Sequence, residues 1–200
     1  MSGLTLATMA GVSQSRTSRV IGTLVDRGLV QQAKTGYHPT DWQQLLDWWL
    51  AHYPGPGGTL SYWASTKDIN TQARDVLAAL GGTRAAVSGD PAVDLLAPWR
   101  LPTLAVIYVD HGLPLSDLGF VPVGDMNEAT LTMCAPTDPG VWLPSPWTFQ
   151  GVPLADPIQI VYDAANGSEP DRPEAAKRLA ATLTSRHLQT WRNTTRRDRL

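Results

Sequence analysis

Seven consecutive residues, Ser13 to Arg19, read SQSRTSR. Gln14, Arg16 and Arg19 carry the amide and guanidinium groups that read base edges two-pronged in a DNA major groove. The hydroxyls of Ser13, Ser15 and Ser18 suit bases or phosphates. No acid interrupts the run until Asp26, and between residues 1 and 40 Arg16, Arg19, Arg27 and Lys34 face Asp26 alone. The whole chain carries a net charge of −2, so any hold on DNA must come from this local basic lobe. The expected DNA contacts are Ser13, Gln14, Ser15, Arg16, Ser18, Arg19 and Lys34. The plainer alternative is an amphipathic helical hairpin with a solvated polar face.

Other chemistry is thinner. A strand TLAVIYVD ending in Asp110 follows a glycine turn and a helix, an order that resembles the start of a nucleotidyltransferase. That reaction needs two carboxylates, spaced Asp-x-Asp, to hold two metal ions about the transferred phosphate. Here Tyr108 stands at the first position, and Gly89-Asp90 stands where a Gly-Ser or Gly-Gly phosphate cradle is expected. The expectation is a degenerate, non-catalytic relative with no catalytic residue and no cofactor; the plainer alternative makes Asp110 a strand-end turn residue before His111-Gly112. Cys134 is the only cysteine, which excludes an internal disulfide and a thiol-rich metal site, and reads as packing. His38, His52, His111 and His187 lack ligand spacing, so no metal site is expected.

The elements that must position the polar run follow from its neighbours. Leu4 to Ala10 reads as a helix, Gly11 as a tight turn, and Ser13 as the N-cap of a second helix to Arg27. Val12, Thr17, Val20, Ile21 and Leu24 recur at helical spacing and should pack against Leu4 and Leu6. Gly28 ends the helix, and LVQQAKTGYHPTD reads as two strands about Lys34-Thr35-Gly36. The sum is a winged helix-turn-helix, with the usual first helix of its three-helix core missing or cut off. Asp41 caps a third helix whose Trp42, Trp48, Trp49 and Tyr53 form either a core or joint stripe or a dimer interface.

HYPGPGGTL then breaks the chain. Residues 1–53 are expected to bind DNA, 54–59 to link, 60–188 to form a mixed α/β domain, and 189–200 to form a basic tail. In the second domain TLSYWAS reads as an edge strand and Asp68 to Leu80 as a helix. Ala85 onward gives a short buried strand and a helix with Pro91 first, and Thr103–Val109 the strongest strand. Phe120–Val123 and Ala129–Cys134 are further strands, and WTFQGVPL a hairpin with Gly151 at its turn. Asp156 caps a helix, and Pro173 opens the last one with Ala176, Leu179, Ala180 and Leu183 inward. The tail's Arg186, Arg192, Arg196, Arg197 and Arg199 form either a solvated end or an arm that contacts phosphate or a protein. The fold class is α+β.

An apolar fraction of 42% and a charged fraction of 17% describe an ordinary globular chain rather than a basic nucleic-acid coat. No apolar run reaches about 18 residues, and MSGLTLATMAGV has no charged leader region, so a cytoplasmic location away from membranes is expected. The segments SRVIGTLVDRGLV, TDWQQLLDWWLAHY, RAAVSGDPAVDLLAPWRLPTLAVIYVD and GVPLADPIQIVYDAANGSEPDRPEAAKRL resemble those of actinobacterial AbiEi-family antitoxins of type IV toxin–antitoxin systems. That resemblance implies a winged helix joined to a C-terminal antitoxin domain. It also implies autoregulation through a double-stranded operator and neutralisation of a nucleotidyltransferase-like toxin. The alternatives are a ligand-sensing winged-helix regulator without a toxin and, behind it, an active nucleotidyltransferase using Asp110; the oligomeric state is left open.

Overall fold

The structure is a computed structural model that describes residues 1–142, 147–166 and 169–197, with 186–197 described as backbone alone. The chain divides into two compact units, Met1–Pro54 and Gly55–Leu200.

In the first unit, α1 (Gly3–Ala10) is capped by Ser2, whose Oγ accepts from the Thr5 amide at 3.1 Å. It stops at Gly11, held at φ 63, a left-handed turn in which a side chain would be strained. Helix α2 (Gln14–Asp26) starts on Ser13, whose Oγ accepts from the Arg16 amide at 3.3 Å. It ends in a Schellman motif: Gly28 (φ 71) donates to Val25 O at 2.8 Å and Leu29 to Leu24 O at 2.9 Å. Leu29 is thereby turned inward and buried. Strands β1 (Val30–Ala33) and β2 (Gly36–Pro39) pair antiparallel, Val30 opposite Pro39 and Ala33 opposite Gly36, around Lys34-Thr35. The Tyr37 amide donates to Met1 O at 2.8 Å, tying the hairpin to the residue before α1's cap. Helix α3 (Trp42–His52) begins at Asp41, whose Oδ1 accepts from the Gln43 and Gln44 amides at 2.7 and 3.1 Å.

The expected apolar face of α2 is narrower than its spacing suggested. Thr17 and Ile21 are buried, whereas Val12, Val20 and Leu4 are exposed. Val20 lies a quarter-turn off the Thr17–Ile21 line, and the eight-residue α1 covers only one side of α2. None of α3's aromatic residues is fully buried, and Trp42 is 44% exposed.

In the second unit the elements in chain order are β3 (Thr59–Ala64), α4 (Ile69–Leu80), β4 (Ala85–Ser88), α5 (Gly89–Leu96), β5 (Ala105–Val109), β6 (Val121–Pro122), β7 (Leu131–Ala135), β8 (Trp147–Phe149), β9 (Val152–Leu154), α6 (Pro157–Ala165) and α7 (Arg172–Arg197). Among the described residues the strands form one mixed seven-stranded sheet, ordered β6-β3-β7-β5-β4-β9-β8. Antiparallel β4 and β5 sit near its centre, β5 runs parallel to β7, and Ala105, Ile107 and Val109 are wholly buried. Helices α4 and α5 pack on the central strands, and α6 packs on β4, α5 and α7.

Several boundaries move. β3 is an interior strand between β6 and β7 rather than an edge. β5 starts at Ala105, because the Thr103 and Leu104 amides turn to the Asp90 carboxylate. α5 starts at Gly89 (φ 65), which places Pro91 third in the helix instead of first. β6 keeps only Val121–Pro122, and β7 begins at Leu131. The hairpin at Gly151 and the cap at Asp156 stand as expected, and of the last helix's expected inward face Ala176, Leu179 and Ala180 are buried while Leu183 is half-buried. The backbone of α7 stays helical to Arg197, through the segment read as a tail, since neither glycine nor proline follows Pro173. The side chains of that segment's arginines, and Asp198 and Arg199 altogether, lie outside the described residues. Among the described residues no helix is long and apolar enough to cross a membrane.

Candidate nucleic-acid interface and buried polar clusters

With about 3.6 residues per turn, Ser15, Arg19 and Gly22 form one line along α2, on the side away from buried Thr17 and Ile21. Arg16 and Ser18 flank that line, and Gln14 stands in the first turn; all five polar side chains of the predicted set in α2 are exposed. Ser13 is committed to the backbone as the cap, and its Oγ also bonds Ser15 Oγ at 3.1 Å. Lys34 is exposed in the β1–β2 turn, beside Thr35, whose Oγ1 lies 2.8 Å from His38 Nε2. Arg27, counted in the basic lobe, lies over the Trp48 ring, 5.6 Å from its centroid. Trp48 stacks in turn on His52 at 4.6 Å. Among the described residues Arg16, Arg19 and Lys34 are the lysine and arginine side chains of this unit that make no ion pair or ring contact.

The second unit holds two buried polar clusters. On α6, Asp163 accepts from Ser88 Oγ of β4 and from Tyr108 Oη of β5 at 2.9 Å. Gln159, one turn earlier, donates to Tyr108 Oη at 2.8 Å and to Asp163 Oδ1 at 3.1 Å. Register explains the meeting: Ala86 pairs with Tyr108 and Ser88 with Val106, so Ser88 and Tyr108 share the sheet face that α6 covers. Burial pushes the Asp163 carboxyl up to about 6, although the Ser88, Tyr108 and Gln159 hydrogen bonds pull it down. Burial, and then the Asp163 charge, push the Tyr108 hydroxyl far above its ordinary value. The Trp142 and Tyr108 rings meet in a T-shaped arrangement, centroids 6.5 Å apart, and the Arg84 guanidinium lies over the Trp142 ring at 4.3 Å.

The second cluster centres on Asp90, whose Oδ2 accepts from the Thr103 amide at 2.8 Å, the Leu104 amide at 3.0 Å and Arg100 at 3.3 Å. Its Oδ1 accepts from Arg172 at 3.3 Å, an arginine only 1% exposed. Arg172 also holds Glu169, whose carboxyl that guanidinium keeps down at about 2. Arg100 reaches Asp171, so the loop before β5 and the start of α7 are cross-tied.

Neither cluster was singled out by sequence reasoning. The available signal was the Gln159–Asp163 spacing of four on the inward face of α6; Asp90 looked like a turn residue. Hydrogen bonds in both clusters tie distant elements of the second unit together, and Ser88 has no exposed surface. Asp110 stands exposed at the end of β5, with Tyr108 turned into the Asp163 cluster. Among the described residues no three His, Cys, Asp or Glu side chains are grouped to hold a metal ion. Comparison of the chain with protein-family models, curated proteins and solved structures finds no match.

Proposed function

We propose that the chain is a winged helix-turn-helix repressor that binds an operator duplex and serves as the antitoxin of a type IV toxin–antitoxin system. One observation carries the DNA-binding part. Between a left-handed glycine turn and a Schellman stop, α2 exposes Gln14, Ser15, Arg16, Ser18 and Arg19, with no acid before Asp26, and a two-strand hairpin bearing Lys34 follows it. In this reading α2 is the recognition helix, Arg16, Arg19 and Lys34 take phosphates or guanine edges, and Gln14 reads a base. The second unit acts by binding, as a degenerate nucleotidyltransferase-like domain. What supports that is Tyr108 in the place of a first carboxylate, tied to Asp163, and Asp110 left alone. The antitoxin role rests on the family resemblance of the four segments quoted above.

Selection of binding sites from a pool of random duplexes tests the first part. A consensus should emerge with the wild-type chain, and Gln14→Ala should lose preference at one position while keeping the rest. A pool that never enriches refutes DNA reading. Co-expression with the product of the adjacent reading frame tests the second: growth rescue supports an antitoxin, and rescue by neither the full chain nor its DNA-binding-deficient Arg19→Ala variant refutes it.

A further inference from the structure

Gly22 sits in the middle of α2 with an ordinary helical backbone, yet nothing in the fold asks for a glycine there. Its φ is not positive, and among the described residues, apart from its chain neighbours Ile21 and Thr23 and the helix's own backbone, no atom comes within 4 Å of where a Cβ would stand. Glycine inside a helix destabilises it by comparison with alanine, and here the flanks worsen matters: Val20, Ile21 and Thr23 are all β-branched. This contrasts with Gly11 and Gly28, whose positive φ explains them, and with Gly58, where a Cβ would meet Ala135 O at 1.9 Å. Gly22 continues the line of Ser15 and Arg19 on the outward side of α2.

We infer that Gly22 is a close-approach point for the sugar–phosphate backbone of the bound duplex, and that Ser15, Arg19 and Gly22 mark the line along which α2 faces the nucleic acid. The inference rests on the DNA-binding reading above. A missing Cβ lets a ligand's backbone come nearer to the helix than any side chain allows. Arg19, one turn before it on the same line, supplies the positive charge that such a polyanion requires. The cost in helix stability then has a counterpart outside the chain.

The test is the series Gly22→Ala and Gly22→Leu, read by Tm and by affinity for a selected duplex, with Val20→Ala as control. Val20 is exposed and lies off the line, so its replacement raises helix propensity without adding bulk to it. Gly22→Ala should raise Tm by about 2–4 °C while weakening duplex binding about tenfold. Gly22→Leu should weaken binding further, and Val20→Ala should leave it within twofold. Unchanged or tighter binding by both Gly22 variants overturns the inference and leaves DNA binding itself standing. An equal loss in Val20→Ala overturns it too, since the cause is then a stiffer helix and not bulk. A wild-type chain that binds no duplex removes the DNA-binding reading and this inference with it.

Discussion

Asp163 is a buried carboxylate, and the sign of its pH effect follows from that. In the unfolded chain such a group titrates near about 3.9, while burial sets it at about 6 in the fold. Between those values the folded protein holds a proton that the unfolded chain has lost, so stability falls as pH rises from about 4 to 6 and levels off above. The loss is about 2–3 kcal/mol, and Asp156, also pushed up to about 6 by burial, adds to it in the same direction. Glu169 works the other way and withdraws support only as pH drops toward about 2. Thermal unfolding from pH 4 to 7 should therefore show Tm falling, less steeply in Asp163→Asn; an identical slope in that variant contradicts the assignment. Arg172 is the opposite kind of buried charge. Arg172→Met removes the ion pair from Asp90 and leaves its Oδ1 acceptor unmatched, at an expected loss of about 3–5 kcal/mol in urea unfolding. A loss under about 1 kcal/mol contradicts the role given to the cluster.

At the scale of elements, α2 depends on its punctuation more than on its composition. Ser13→Ala removes the oxygen that accepts from the Arg16 amide and should lower stability by about 1 kcal/mol. Because fraying begins under Gln14 and Arg16, duplex affinity should fall as well; a stability loss with full affinity would separate the cap from the binding face. That punctuation was legible in the sequence. Gly11, Ser13, Gly28, Asp41 and Asp156 each act on backbone within a few residues, so residue type alone foretells the turn or cap. What joins distant residues was not legible. Ser88 meets Asp163 across 75 positions and Asp90 meets Arg172 across 82, pairings that only the sheet register and the α6–α7 packing bring about. β3 shows the same limit: TLSYWAS reads as a strand, but an interior place between β6 and β7 depends on partners that a local window does not contain. The reading of α2's apolar face erred by counting spacing without asking what α1 is long enough to cover.

At the scale of the whole molecule, the chain forms two compact units, and its net charge of −2 conceals how differently their cations are placed. Arg16, Arg19 and Lys34 are in the first unit, while Arg100 and Arg172 in the second are spent on Asp90, Asp171 and Glu169. Binding to duplex should thus weaken with salt even though the chain is acidic overall, with a modest slope set by the local cations Arg16, Arg19 and Lys34. The most direct measurement is fluorescence anisotropy of a selected duplex against salt concentration, for the wild-type chain and Arg19→Ala. The account predicts a log–log slope near about −3 per bound first unit, reduced by about 1 in Arg19→Ala, with weaker binding at every salt concentration. The same slope and affinity in both proteins would contradict the claim that α2's outward face binds the nucleic acid.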